Sequence, residues 1–314
     1  MKTIILGAAG FIGRNLAEKL AKKEGDPITL VDRNGDVLRE MKGQKGSRIQ
    51  IKEMDLVRQE NYDEVLLGQD VVYHLISTTV PTTSNQQIPQ EISDNVELTS
   101  RLLESCVRCG VKKVVYLSSG GTVYGMNQVC PLREGMETNP INSYGVQKVM
   151  NEKLLYLYQY LYGLDYRIIR LSNPFGPYQR PNGILGAVTT FTYKALKGEE
   201  IVVYGDGSVV RDYIYIEDAV KAILNIADDE GEDRLYNVGS GMGTSLCQLL
   251  KIIEDTLGLT LKIRYVPGRA VDVPVNYLDI SRYEMKFGRF DVLPLQEGIR
   301  RTADFMMREY LSCG

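Results

Sequence analysis

Tyr144 and Lys148 stand four residues apart in Ser143-Tyr144-Gly145-Val146-Gln147-Lys148. On a helix that spacing puts both side chains on one face. A lysine ammonium beside a phenol favours the phenolate and lowers its pKa, which makes tyrosine a usable base near neutral pH. Far upstream, Gly7-Ala8-Ala9-Gly10-Phe11-Ile12-Gly13 follows an apolar run. Such a turn brings backbone N–H groups at a helix N-terminus, here those of Phe11 and Ile12, close to a pyrophosphate. The spacing is G-x-x-G-x-x-G, with Ala9 where the usual dinucleotide fingerprint has its second glycine. Together the two features predict proton removal from a hydroxyl coupled to hydride transfer to a nicotinamide.

Two acids support a dinucleotide. Asp32 ends the second apolar run, nineteen residues beyond Gly13. A carboxylate there binds the ribose 2′-hydroxyl and repels a 2′-phosphate, so NAD is favoured over NADP. Arg33 beside it acts against that preference. Asp55-Leu56 closes the third run, where a carboxylate could meet the adenine.

The elements that must position these groups follow from periodicity. Thr3–Leu6, Ile28–Val31, Ile49–Ile51, Val71–His74, Val114–Leu117 and Tyr166–Arg170 read as buried strands. Helical patterns cover Ile12–Lys23, Ile92–Cys109 and Tyr144–Tyr162. Apolar strands alternating with helices predict an α/β fold, a doubly wound parallel sheet covered on both faces, with ligands at the carboxyl ends of its strands. After about Leu171 the rhythm loosens, with helices expected at Ala187–Lys197, Glu217–Asp228, Ser245–Thr256 and Leu295–Glu309.

Bulk properties narrow the classes. The 314 residues are 44% hydrophobic and carry a net charge of −3, which gives no electrostatic case for nucleic acid or an anionic membrane. The apolar stretches are too short for a membrane span, and Met1–Leu6 reads as a first strand rather than a signal peptide. Cys106, Cys109, Cys130, Cys247 and Cys313 form no disulfide grid, and the Cys106/Cys109 pair lacks the second pair that zinc would need. A cytoplasmic protein without a metal is expected. His74, the lone histidine, reads as a core residue.

With the tyrosine–lysine pair in place, the chain resembles the extended short-chain dehydrogenase/reductases, and within them the nucleotide-sugar epimerases and dehydratases. The matching segments are Gly7–Gly13, Asp55-Leu56, His74–Thr79, Asn95, Ser118–Gly125, Tyr144–Lys148, Arg170–Pro181, Tyr204–Tyr215 and Arg269–Asp279. The resemblance implies a Rossmann-type domain over 1–171, to which segments of about 211–240 return. A smaller α/β lobe over 172–314 would bind a nucleotide-diphosphate sugar. It also implies a homodimer packed through two long helices per subunit, the candidates being Ile92–Cys109 and Tyr144–Tyr162.

In that family a Ser or Thr completes the triad with the tyrosine and lysine. Here the segment reads Ser118-Ser119-Gly120-Gly121-Thr122-Val123-Tyr124-Gly125, and aligned on Val-Tyr-Gly the usual hydroxyl falls on Gly120. Ser119 or Thr122 would then supply it, the alternative being a tyrosine that works alone and more slowly. The segment has no carboxylate, unlike that of the related 4,6-dehydratases and sugar-acid decarboxylases, so 4-epimerisation is the expected reaction. A decarboxylase, dehydratase or 4-keto reductase is the alternative within the family, and a non-catalytic NAD-binding sensor the alternative outside it. The resemblance further implies a cofactor contact at Thr78 and sugar contacts at Thr79 and Ser84. Asn173 would touch the diphosphate and Arg211 and Arg269 would clamp it, with Arg180 and Asp272 nearby. Asn276 would border the sugar pocket.

Overall fold

The structure, a computed structural model, describes residues 1–45, 48–126, 128–181, 186–268 and 273–311. Its centre is a seven-stranded sheet in which every neighbouring pair is parallel. The strands are β1 (Thr3–Leu6), β2 (Ile28–Asp32), β3 (Ile49–Glu53), β4 (Val71–His74), β5 (Lys113–Ser119), β6 (Asp165–Leu171) and β7 (Leu235–Val238). Their order is β7-β6-β5-β4-β1-β2-β3, so the chain reverses direction across the sheet between β1 and β4. That switch point opens a crevice above the carboxyl ends of the strands.

The sheet is covered on both faces, which explains its near-continuous apolar strands. Ile5, Leu30, Val115 and Ile169 pack with Leu16 of helix Phe11–Ala21 and with Ile223 and Ile226 of helix Ile216–Asp228. Ile4, Val31, Val72, Val114 and Ile168 face the other way, onto Leu102 and Cys106 of helix Leu98–Arg108 and Leu155 of helix Ser143–Tyr162. Among the described residues no helix is long and apolar enough to cross a membrane.

The remaining elements stand over the carboxyl edge. Helix Ala187–Lys197 packs on the parallel pair Glu200–Tyr204 and Lys262–Val266. Short strands Val210–Arg211, Thr244–Ser245 and Val275–Asn276 form a three-stranded patch between that pair and the main sheet. β7 returns to the main sheet after this excursion, pairing with β6 along Ile168–Leu171. The first and fourth strands have the bounds read from sequence, the other four extend beyond them by one or two residues at an end, and helix Gly35–Lys45 is one that periodicity does not predict. Its glycine and unbroken polar stretches leave a weak apolar stripe.

Candidate active site

The turn after β1 is built for close backbone approach. Gly7 has φ +88°, a left-handed conformation that favours glycine. A Cβ at Gly13 would stand 2.4 Å from the Gly7 carbonyl oxygen and 2.8 Å from Ala8 Cα, so only glycine lets the helix seat this tightly. Gly10 is the N-cap and offers no side chain to the first helical N–H groups, leaving those of Phe11, Ile12 and Gly13 for an external anion. Asp32 braces the turn from β2, accepting the N–H of Ala9 at 3.0 Å and of Asn34 at 3.1 Å. Arg33 is exposed beside it. Asp55 caps the short turn Leu56–Arg58 through the N–H of Val57 at 3.2 Å, while Leu56 is buried beneath. These features fit a dinucleotide along the crevice.

Tyr144 and Lys148 share the inner face of the helix Ser143–Tyr162, whose start is fixed by the Asn142 side chain accepting the N–H of Gly145 at 2.8 Å. Lys148 Nζ lies 5.4 Å from the Tyr144 ring centroid and 4.9 Å from that of Tyr116, and donates to the Leu117 carbonyl at 2.8 Å. Burial pulls this lysine down to about 8, with Glu152 acting in the opposite direction. Tyr144 keeps some solvent access from the cleft, yet its surroundings push the phenol up to about 12. A hydrogen bond with the Ser119 hydroxyl works against that rise.

The hydroxyl missing at Gly120 has a structural account. A Cβ at Gly120 would stand 2.6 Å from Leu278 Cδ1 and 3.1 Å from the Arg170 carbonyl oxygen, so position 120 points away from Tyr144. Ser119, the last residue of β5, points towards it. Thr122 Oγ1 is buried and finds no hydrogen-bond partner among the described residues. Beneath the pair, Arg170 and Glu152 form a buried ion pair at 2.7 Å, and Ser118 Oγ donates to the same carboxylate at 2.5 Å. Tyr124 is a packed aromatic whose hydroxyl donates to Asn237 Oδ1 at 2.6 Å.

His74 is buried at the end of β4, with Nε2 2.9 Å from Thr99 Oγ1. Burial, aided by the Lys148 charge, drives it down to about 3, so it stays neutral. In the loop that follows, the N–H of Thr78 donates to Asn95 Oδ1 at 2.9 Å, and the Asn95 amide donates back to Thr78 Oγ1 at 2.8 Å. Thr79 is buried and donates to Gln147 Oε1 at 3.3 Å. Ser84 is turned inward, closing its own turn onto the Pro81 carbonyl at 3.0 Å. In this structure both hydroxyls are hydrogen-bonded within the chain.

Next to this centre lies a cavity of about 750 Å³ lined by Asn173, Val188, Thr190, Phe191, Tyr204 and Arg211, among others. Asn173 donates to the Asp212 carbonyl at 2.9 Å and thereby joins strand Asn173–Phe175 to the segment that follows Val210–Arg211. Arg211 donates to the carbonyls of Val210 at 2.8 Å and Val273 at 2.7 Å, which holds its guanidinium at the cavity wall. Asn276 pairs with Arg211 in the strand register, donates to the Gly120 carbonyl at 3.2 Å and has a buried Oδ1 without a partner among the described residues. Arg180 is exposed and does not line the cavity. Arg269 and Asp272 lie outside the described residues.

Sequence reasoning misses one helix start at the cavity wall. The N-terminus of helix Ala187–Lys197 opens into the cavity through Gly186, Ala187 and Val188, and Gly186 gives it no side-chain cap. The helix is visible in the sequence, but nothing there says where its first turn points.

Residues 3–239 match the model of the NAD dependent epimerase/dehydratase family. The chain is 32% identical over 311 residues to a UDP-glucose 4-epimerase of Mycolicibacterium smegmatis, covering 97% of this chain and 98% of that one. It is 28% identical to a UDP-N-acetyl-alpha-D-glucosaminuronate decarboxylase of Bacillus cytotoxicus, covering 96% of each. Among solved structures, the UDP-glucose 4-epimerase of Thermotoga maritima with UDP-glucose superposes with a TM-score of 0.91 at 32% identity, covering 98% of this chain and 99% of that one.

Proposed function

The chain belongs to the NAD dependent epimerase/dehydratase family and uses NAD; from that premise we propose that it is a nucleotide-diphosphate-sugar 4-epimerase acting on a UDP-sugar. The observation that carries this reading is the make-up of the reacting centre. Tyr144 has Ser119 and Lys148 beside it, and the segment Gly120-Gly121-Thr122 brings no carboxylate to eliminate water. Bound NAD supplies a reversible hydride acceptor, which the Gly7–Gly13 turn, Asp32, Asp55, Thr78 and Lys148 would hold.

Tyr144 Oη takes the proton from the sugar C4 hydroxyl and gives it back after the sugar has turned over. Ser119 Oγ orients that oxygen, and the Lys148 ammonium stabilises the phenolate. Arg211 and the N-terminus of helix Ala187–Lys197 hold the diphosphate, so binding rests on the part of the substrate that does not turn. Gly121 leaves room near the sugar: a Cβ there would have only Ser119 Oγ at 3.9 Å and Asn173 Oδ1 at 4.0 Å within 4 Å.

A homodimer belongs to the same reading. Val146, Met150, Leu157 and Leu161 form an exposed apolar stripe on helix Ser143–Tyr162, flanked by exposed Tyr156, Tyr160 and Tyr162. A second copy of the same helix would cover it, and light scattering at twice the chain mass is the expected result.

The test is to incubate the protein, without added cofactor, with UDP-glucose, UDP-N-acetylglucosamine, UDP-glucuronate and dTDP-glucose, and to follow the anomeric proton by NMR. A C4-epimer from a UDP-sugar supports the reading. Loss of a carboxylate, a 4-keto-6-deoxy product, or silence across the panel with NAD bound overturns it.

A further inference from the structure

Glu91 is a carboxylate 6% exposed, with no ion-pair partner among the described residues. Part of its role is local. It sits in the first turn of helix Ile88–Ile92 and accepts the N–H of Gln86 and of Gln87, both at 3.2 Å, and of Asn85 at 3.4 Å. That much is ordinary capping of a helix N-terminus.

Its other two donors come from the catalytic helix. Ser143 Oγ donates to Glu91 Oε2, and Gln147 Nε2 donates to the same oxygen at 3.2 Å. Ser143 immediately precedes Tyr144, and Gln147 immediately precedes Lys148. The carboxylate therefore holds two positions one helical turn apart, each beside a catalytic side chain. Gln147 passes the connection on, since its Oε1 accepts from Thr79 Oγ1 at 3.3 Å. Asn85 closes the arrangement from the loop side, where its Oδ1 accepts the N–H of Ser143 at 2.7 Å. Asn85 has φ +77°, uncommon for a residue other than glycine and retained where the surroundings over-determine it.

The chemistry of the donor set fits an ionised carboxylate. Five groups point hydrogens at it, and only the anion accepts without also donating. Burial alone would raise its pKa, but the Ser143 hydroxyl and the backbone N–H groups outweigh that and hold it below the usual value. Hydrogen bonds to a charged acceptor are stronger and more sharply directed than neutral ones.

We propose that Glu91 is a positioning residue for the reaction. By gripping Ser143 and Gln147 it sets the rotation of the helical turn that carries Tyr144 and Lys148, and it fastens the Thr79–Gln87 loop to that turn. The proposal rests on the epimerase reading for its rate effect, and on geometry alone for a second effect that needs no turnover.

The experiment compares NAD-loaded wild type, Glu91→Gln, Ser143→Ala and the double variant. The amide of Glu91→Gln presents hydrogens where donors converge, while Ser143→Ala removes the hydroxyl that donates to Glu91 and accepts from the Asn85 N–H and Gln147 Nε2, and leaves the cap of Gln86 and Gln87 in place. Displacing a catalytic group by about 1 Å costs up to ~100-fold in rate, so kcat should fall about tenfold or more in Glu91→Gln with KM little changed. The loss should be largely absent when the same change is made in Ser143→Ala. The second readout is the titration of Tyr144 in protein carrying 13C-labelled tyrosine, its resonance identified by its loss in Tyr144→Phe. Glu91→Gln and Ser143→Ala should both move that midpoint upward, because a displaced phenolate loses the Ser119 hydroxyl that holds it down. Wild-type kcat in Glu91→Gln, equal losses in both backgrounds, or an unmoved midpoint overturns the proposal. Should wild type epimerise no sugar, the functional reading fails and the midpoint alone decides for or against Glu91. Should Glu91→Gln fail to fold, Ser143→Ala alone carries both readouts.

Discussion

Replacing Ser119 with alanine tests where the third catalytic group stands. The Ser119 hydroxyl stands beside the Tyr144 phenol and works against the rise in its pKa, and the phenol becomes charged as the proton moves. A hydrogen bond to a charged group contributes about 1.5–3 kcal/mol. At about 1.4 kcal/mol per decade, Ser119→Ala should lower kcat by roughly ten- to a hundredfold. Because the group acts on the proton and not on the nucleotide, KM should change little.

Two companion variants give the prediction its force. Thr122 Oγ1 is buried without a partner, so Thr122→Val, which keeps the shape and removes the unpaired hydroxyl, should leave kcat within about twofold and stability unchanged or raised. Gly120→Ser restores the residue the family places there, but its Cβ would meet Leu278 Cδ1 at 2.6 Å and the Arg170 carbonyl at 3.1 Å. It should destabilise by about 1–3 kcal/mol through overpacking and should not rescue Ser119→Ala. The assay is the initial rate of C4-epimer formation by NMR, with thermal unfolding followed in parallel. A Ser119→Ala enzyme at wild-type kcat, or a Gly120→Ser/Ser119→Ala enzyme restored to it, would refute the reasoning.

Three further outcomes follow from the same structure. Gly13→Ala should be destabilised by about 1–3 kcal/mol and purify without NAD, since its Cβ meets only backbone, the Gly7 oxygen at 2.4 Å foremost; calorimetry and the nucleotide released on denaturation measure both. Arg211→Ala should raise the KM for the nucleotide sugar far more than it lowers kcat, because the guanidinium lines the cavity and not the reacting centre. Lys148, pulled from the ordinary lysine value of 10.5 to about 8, is neutral in the fold while still protonated in the unfolded chain between those values. The unfolded state then binds more protons, so cofactor-free protein should gain up to about 3 kcal/mol from this group as pH rises from 8 to 10.5, a gain missing in Lys148→Met.

The six strands of the first half were legible because a parallel sheet buried on both faces demands unbroken apolar runs, and Thr3–Leu6 and Val71–His74 carry them. β7 was harder: Leu235-Tyr236-Asn237-Val238 is short, and its Asn237 is there for Tyr124 and Leu132 rather than for a strand. At the site, spacing alone could pair Tyr144 with Lys148, because i and i+4 share a helix face. It could not decide between Ser119, Gly120 and Thr122. Successive residues at a strand end point to opposite sides, so a one-residue uncertainty exchanges a group in the cleft for one in the core. Glu91 was invisible for another reason. Its partners at Ser143 and Gln147 are over fifty residues away, and in sequence it is one acid in a polar stretch.

Buried charges around the reacting centre divide into two kinds, and the division bears on function. Arg170 and Glu152 pair directly with each other, and the Glu152 carboxylate also favours the charged form of Lys148. Lys148, Glu91 and Asp212 are buried without an ion-pair partner among the described residues, each held by dipoles instead. Lys148 donates to the Leu117 carbonyl, and Asp212 accepts from Ser240 Oγ and N, both at 2.7 Å, and from the N–H groups of Gly241 and Leu278, both at 3.2 Å. Dipolar partners fix a charge in place without cancelling it, whereas a counter-ion would do both. For Lys148 the dipolar anchor matters to the site, since it holds Nζ 5.4 Å from the Tyr144 ring.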